Sequence, residues 1–175
     1  MCIRAIIWLT VLLLGGLVGS SHAAPKRSIP IKVVMEQAPS ETISLGTPQK
    51  GALAYGMALQ AGTAFTVRKN RNFGTSELID VINAAGDRVQ KAFPGAPRLH
   101  VGDLSYRHGG CMKPHVSHQS GLDADIAYYL KKGHTEKRFK GAKASTLDVP
   151  KTWAFFRGLL DTGQVQYIFS DKHLM

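Results

Sequence analysis

Apolar residues recur along the chain in distinct rhythms, and each rhythm predicts a different element. Leu78, Ile79, Val81, Ile82, Val89 and Phe93 fall at helical spacing and predict a helix over residues 76–91. Thr75 stands at its N-cap position, with Glu77 early in the helix. A second helix opens at Thr146 or Asp148, carries Pro150 in its first turn and closes at Gly163. Trp153, Phe155, Phe156, Leu159 and Leu160 are its expected buried face. Shorter runs read as strands: Phe65–Val67, Leu99–Asp103, Ile126–Leu130 and the alternating Val165–Phe169. Between Leu45 and Leu59, Gly46, Gly51 and Gly56 favour turns and short strands over a helix. Asn70–Gly74 is turn chemistry, and Leu104–Ser120 is a long loop holding Gly109, Gly110 and Pro114. Helices among short strands, without repeats, predict a single domain of the α+β class.

The run from Ala5 to Leu14 is of another kind. It follows Arg4, is almost wholly apolar, and gives way to Gly15, Gly16 and Gly19 before the small residues Ser21 and Ala23. This is the pattern of a secretory signal peptide over residues 1–23, cleaved near Ala23. A permanent membrane anchor is the alternative, but the apolar stretch is shorter than the roughly 20 residues that a stable span needs. No Cys stands at the cleavage point, so no lipid anchor is expected. Residues 24–42, with Pro25, Pro30 and Pro39, predict a flexible lead-in with a short strand at Ile31–Val34. Residues 43–175 are the domain.

Export changes the meaning of charge and of cysteine. Loss of Arg4 with the leader takes the formal charge from +10 to +9. A cytoplasmic chain so basic would suggest nucleic acid; in the periplasm or outside the cell the polyanions are anionic wall polymers, lipids and lipopolysaccharide. Lys131, Lys132, Lys137, Arg138, Lys140 and Lys143 form the densest basic stretch, read as a solvated loop or as a polymer-binding site. Cys2 leaves with the leader, so Cys111 has no internal partner. It is a free thiol, a pairing site for another chain, or a small buried apolar residue.

The chemistry concentrates between His115 and Asp125, where two imidazoles and two carboxylates fall within eleven residues. Nitrogen with carboxylate oxygen suits zinc. His118 and Asp125 are seven apart, too far for adjacent turns of one helix and natural for a loop histidine followed by a strand carboxylate. Asp123 and Asp125 would share a face on a strand, and Gly121 allows the bend before them. A zinc hydrolase needs about three protein ligands, one open position and a base for its water.

Residues 117–125, Ser-His-Gln-Ser-Gly-Leu-Asp-Ala-Asp, resemble the metal motif of the penicillin-insensitive murein endopeptidases. That family is grouped with D-Ala-D-Ala carboxypeptidases and dipeptidases, which share a His-x6-Asp metal pair. Ser44–Gly51, Asn72–Asp80, Val101–Ser105 and Gly109–Gly110 are similar to it too, in order, so the resemblance runs from residue 43 to about 170. It implies a mainly antiparallel sheet with flanking helices. It also implies a zinc metalloendopeptidase of the cell envelope, periplasmic or secreted, that cleaves D-alanyl–diaminopimelyl cross-links of peptidoglycan.

The resemblance makes His118 and Asp125 zinc ligands. His115 becomes a ligand of a second ion or a substrate contact. Asp123 becomes a partner that orients His118 or His115, or else a turn or strand-end carboxylate. Asp103 and Ser105 are either further orienting partners or loop-capping residues. The family's third ligand and base lie in a His-x-His near the C-terminus. After Asp125 the only histidines are His134 and His173, neither in that motif, so no catalytic base is assigned. A truncated product, a shortened relative without full catalysis, and substitution by His173 are the three explanations. The competing functions are a catalytically inactive metal- or wall-binding remnant and a basic module that binds anionic polymers without metal.

Overall fold

The computed structural model describes residues 41–131, 139, 142–171 and 174. The signal peptide, the lead-in with its Ile31–Val34 strand, most of the basic stretch, His134 and His173 all lie outside the described residues. The chain divides into units 1–38 and 39–175, and the second is described here.

Strands β1 (Ile43–Thr47) and β2 (Lys50–Ala54) form an antiparallel hairpin in register from Ile43 opposite Ala54 to Thr47 opposite Lys50. Strand β3 (Met57–Ala58), a short strand of the kind expected between Leu45 and Leu59, pairs antiparallel with β5 (Phe73–Gly74), so the end of the expected 70–74 turn is a strand. Strand β4 (Phe65–Val67) pairs in parallel with β6 (Leu99–Val101). Parallel neighbours need a crossover, and the crossover here contains helix α1 (Ser76–Ala92). Helix α2 (Val149–Leu160) follows β6 in the element order. Two helices with short, mostly antiparallel ladders make the small α+β domain that the pattern predicted.

Local capping explains both helix starts. Thr75 Oγ1 accepts the Leu78 N–H at 3.2 Å, and Asp148 Oδ1 accepts the Lys151 N–H at 3.2 Å. Asp148, not Thr146, is therefore the cap of α2. The core gathers Leu59, Phe65, Ile82, Val89, Leu99, Val101, Leu104 and Phe155. The helices meet closely at Gly158, where a Cβ would stand 2.6 Å from the Cα of Ala85. Phe155 packs edge-on against Phe65 and Tyr129.

Three expectations fail in informative ways. Trp153 and Leu160 are exposed, while Thr152, Phe155, Gly158 and Leu159 are buried. The close approach at Gly158 narrows the buried stripe of α2 and leaves no width for Trp153. Ile126–Leu130 forms no ladder, because its two ends pair with different partners. Ile126 bridges Val101, and Leu130 bridges Leu147. Val165–Phe169 is no strand either. Val165 and Ile168 pack on the core, a spacing of three, while Phe169 is 90% exposed and stacks on Tyr167. Cys111 is exposed, which excludes the buried apolar alternative. No helix of the described residues is long and apolar enough to cross a membrane.

Candidate metal centre

Strand β6 delivers the chain to Gly102 and Asp103, and the segment holding Asp125 runs back beside it. Gly102 N–H donates to Asp125 O at 2.8 Å, and Asp125 N–H donates to Asp103 O at 2.9 Å. The histidine loop is tied down elsewhere. Gly110 N–H donates to Gln119 O, Gln119 N–H to Pro48 O in the β1–β2 turn, and Leu53 N–H to His108 O. At the start of α1, Thr75 N–H donates to Gly121 O at 3.0 Å. Gly109 packs so close to Gln119 O and Ala52 that no side chain fits there. The loop is thereby fixed to the hairpin and to the helix, and the ligand candidates stand on an anchored frame.

His118 has φ +65°, the left-handed region that few non-glycine residues adopt. The Asp123 carboxylate supports it. Its Oδ2 accepts the His118 backbone N–H at 3.2 Å and lies 3.0 Å from the ring Nδ1. The ring N–H is not aimed at that oxygen, since Nδ1 is buried without an aligned hydrogen-bond partner. The ring contact is therefore electrostatic, and the backbone bond is the directional one. On the other side of the ring, Nε2 is 3.4 Å from Asp125 Oδ2, long for a hydrogen bond.

His115 stands edge-on to His118, with ring centroids 5.1 Å apart and planes at 83°. One donor atom from each of His115, His118 and Asp125 lies within 4.8 Å of the other two. The His118 side chain is buried, whereas those of His115 and Asp125 are 31% and 46% exposed, so the cluster opens on one side. Burial alone would push the His118 imidazole down. The Asp125 carboxylate, as acceptor opposite Nε2, and the charges of Asp123 and Asp125 outweigh burial and raise it above its ordinary value. The bond with His118 holds the Asp125 carboxyl below its usual range, against burial and with help from the charges of His118 and His115.

A metal ion fits these residues. Two imidazoles and a carboxylate converge, the nitrogen donor His118 is buried and imperfectly bonded, and one face stays open. The sequence placed these three residues together, and the structure brings them together. Asp123 also reaches His118, though by loop geometry and not by strand alternation, because residues 121–125 form no strand. Ser105 is fully buried with no hydrogen-bond partner for its hydroxyl, so that hydroxyl neither caps a loop nor bonds to the cluster.

A family profile described as penicillin-insensitive murein endopeptidase matches residues 44–155. The chain belongs to that family. The match contains every residue of the cluster, and it ends short of the residue 170 that the motifs suggested. A penicillin-insensitive murein endopeptidase of Haemophilus influenzae is 39% identical over 61 residues, which cover 34% of this chain and 21% of that relative. The aligned part is thus about a fifth of the relative's length.

Within the part that matches this family the sequence reading missed two residues. Arg68 and Arg71 donate to the buried Asp103 carboxylate at 3.1 Å, from opposite sides of a turn. The Arg71 guanidinium also lies over the Tyr106 ring, 5.7 Å from its centroid. Arg71 directly precedes the family-like Asn72–Asp80 segment, the one sequence signal that could have drawn notice to it.

Proposed function

We propose that this chain is a zinc-dependent hydrolase of peptidoglycan, acting in the periplasm or outside the cell on D-alanyl–diaminopimelyl cross-links. Family membership supports the substrate class. The observation that carries the metal reading is the convergence of His115, His118 and Asp125 within 4.8 Å. The choice of zinc follows from the donor set, two nitrogens and one carboxylate oxygen.

In this reading His118 would bind through a ring nitrogen, with Nε2 the one that faces Asp125, and Asp125 would bind through its carboxylate. His115 supplies the third donor. Asp123 holds the His118 backbone and ring so that Nε2 keeps its direction. Bound zinc supplies Lewis acidity to a water and to the scissile carbonyl. No serine acts as nucleophile in this scheme, which accords with insensitivity to penicillin. The basic character of the chain, +9 in formal charge without Arg4, favours the anionic polymers of the wall.

A second reading is a metal- or wall-binding relative that does not hydrolyse. It needs only the donor cluster and the basic charge of the chain, and no catalytic base. The deciding experiment measures zinc content of the purified chain and of Asp125→Ala, then cleavage of cross-linked muropeptides with and without chelator. Zinc in the wild type, lost in the variant, supports the metal reading; equal zinc in both sinks it. Chelator-sensitive cleavage selects the hydrolase, and zinc without cleavage selects the second reading.

A further inference from the structure

We propose that Asp103 is a positioning residue of the centre: its carboxylate holds His115 by Nε2–H, so that Nδ1 is the nitrogen presented to a metal. The inference rests on the metal reading above and adds a residue and a ring orientation to it.

Three side chains converge on one oxygen. Asp103 Oδ2 is 2.9 Å from His115 Nε2, 3.1 Å from Arg68 Nη1 and 3.1 Å from Arg71 Nη1. Arg68 Nη1 also reaches Oδ1 at 3.2 Å. The side chain of Asp103 is 4% exposed, so protein groups and not bulk water satisfy this charge. A carboxylate only accepts, so this 2.9 Å contact favours the Nε2–H tautomer of His115. Nδ1 is then the unprotonated nitrogen. This is the arrangement in which a carboxylate fixes the tautomer of a metal-binding histidine.

Asp103 reaches a second candidate ligand through its main chain. Its carbonyl accepts the Asp125 N–H at 2.9 Å, and the neighbouring Gly102 N–H donates to Asp125 O at 2.8 Å. One residue thus holds His115 by its side chain and Asp125 by its backbone. The alternative is that Asp103 is itself a metal ligand. Two guanidinium groups already occupy the same oxygen, and a further cation there meets their charge at close range. The arginines assign Asp103 to orientation.

The test uses the full chain. Long-range proton–nitrogen spectra of the metal-free wild type report the His115 tautomer. Nε2–H is expected, and Nδ1–H overturns the proposal without any variant. Zinc affinity is then measured by chelator competition. Asp103→Asn keeps the shape but offers one uncharged oxygen to three donors, and it should bind zinc about 10- to 100-fold more weakly. That loss should vanish when Asp103→Asn is placed on a His115→Ala background. An equal loss on both backgrounds shows that Asp103 acts on the fold and overturns the proposal, as does wild-type affinity in Asp103→Asn. If the wild type itself binds no zinc, the metal reading fails separately. In that case an Nε2–H His115 still supports the hold by Asp103, and an Nδ1–H His115 removes it.

Discussion

The His118 ring lies between two carboxylates, with Nδ1 3.0 Å from Asp123 Oδ2 and Nε2 3.4 Å from Asp125 Oδ2. The Asp123 contact doubles as a backbone anchor, since the same oxygen accepts the His118 N–H. The Asp125 contact is looser and faces the open side of the cluster. One carboxylate therefore fits a supporting role, and the other fits a ligand role.

The electrostatics of that pair predict a pH response. His118 is raised above its ordinary value of 6.5, so in the metal-free protein its contribution to stability is full below 6.5 and is lost as pH rises through the folded value. Asp125 is lowered below 3.8, so its contribution is full above 3.8 and is lost as pH falls through its folded value. Zinc competes with the His118 proton, so affinity should climb as pH rises through that raised value. Nuclear magnetic resonance titration of Asp125→Asn should show the His118 midpoint moved down. A midpoint unmoved from wild type would mean that Asp125 does not hold the imidazole charged.

Zinc should stabilise the folded chain by mass action. A free concentration near 100 times the Kd adds about 2.7 kcal/mol. The thermal midpoint should therefore rise with zinc, fall back with chelator, and show no zinc response in His118→Ala. A wild-type response that persists in His118→Ala places the bound ion elsewhere.

Asp123 should matter in two separable ways. Asp123→Ala removes the acceptor for the His118 N–H at a left-handed position, and should cost about 1–3 kcal/mol. Asp123→Asn keeps an oxygen for that bond and loses the charge facing Nδ1. It should retain most of the stability while binding zinc more weakly. Urea denaturation with chelator competition on both variants checks the split, and equal stability losses would merge the two roles.

The legible parts of the sequence were those that local chemistry decides. Thr75 and Asp148 cap their helices by reaching three residues ahead, a relation visible in any window. His115, His118, Asp123 and Asp125 are close in sequence, so their meeting needed only a bend at Gly121, whose φ is +71°. That 126–130 and 165–169 would form no strands was not legible, because a strand exists only with a partner and alternation does not supply one. Nor was the role of Asp103, whose arginines come from 32 and 35 residues away. Arg68 and Arg71 flank a turn, and charged turn residues usually face solvent.

The bend at Gly121 joins fold and site, and a pair of glycine variants can separate the two. A Cβ at Gly121 would lie 2.8 Å from Leu53 Cδ2 and 3.2 Å from Gly74 Cα, in a left-handed backbone. Leu53 is 2% exposed and has little room to give way. The Gly121 carbonyl also accepts the Thr75 N–H that docks the loop on α1. Gly110 has a similar φ of +84° but nothing within 4 Å of a Cβ. Gly110→Ala should therefore show only the backbone cost, about 1 kcal/mol, with zinc affinity unchanged. Gly121→Ala should lose more stability than that and should also weaken zinc binding, because His118 and Asp125 lie on either side of the displaced bend. Urea midpoints and chelator competition on the two variants make the comparison. Unchanged zinc affinity in a folded Gly121→Ala would show that the ligand geometry does not depend on this bend.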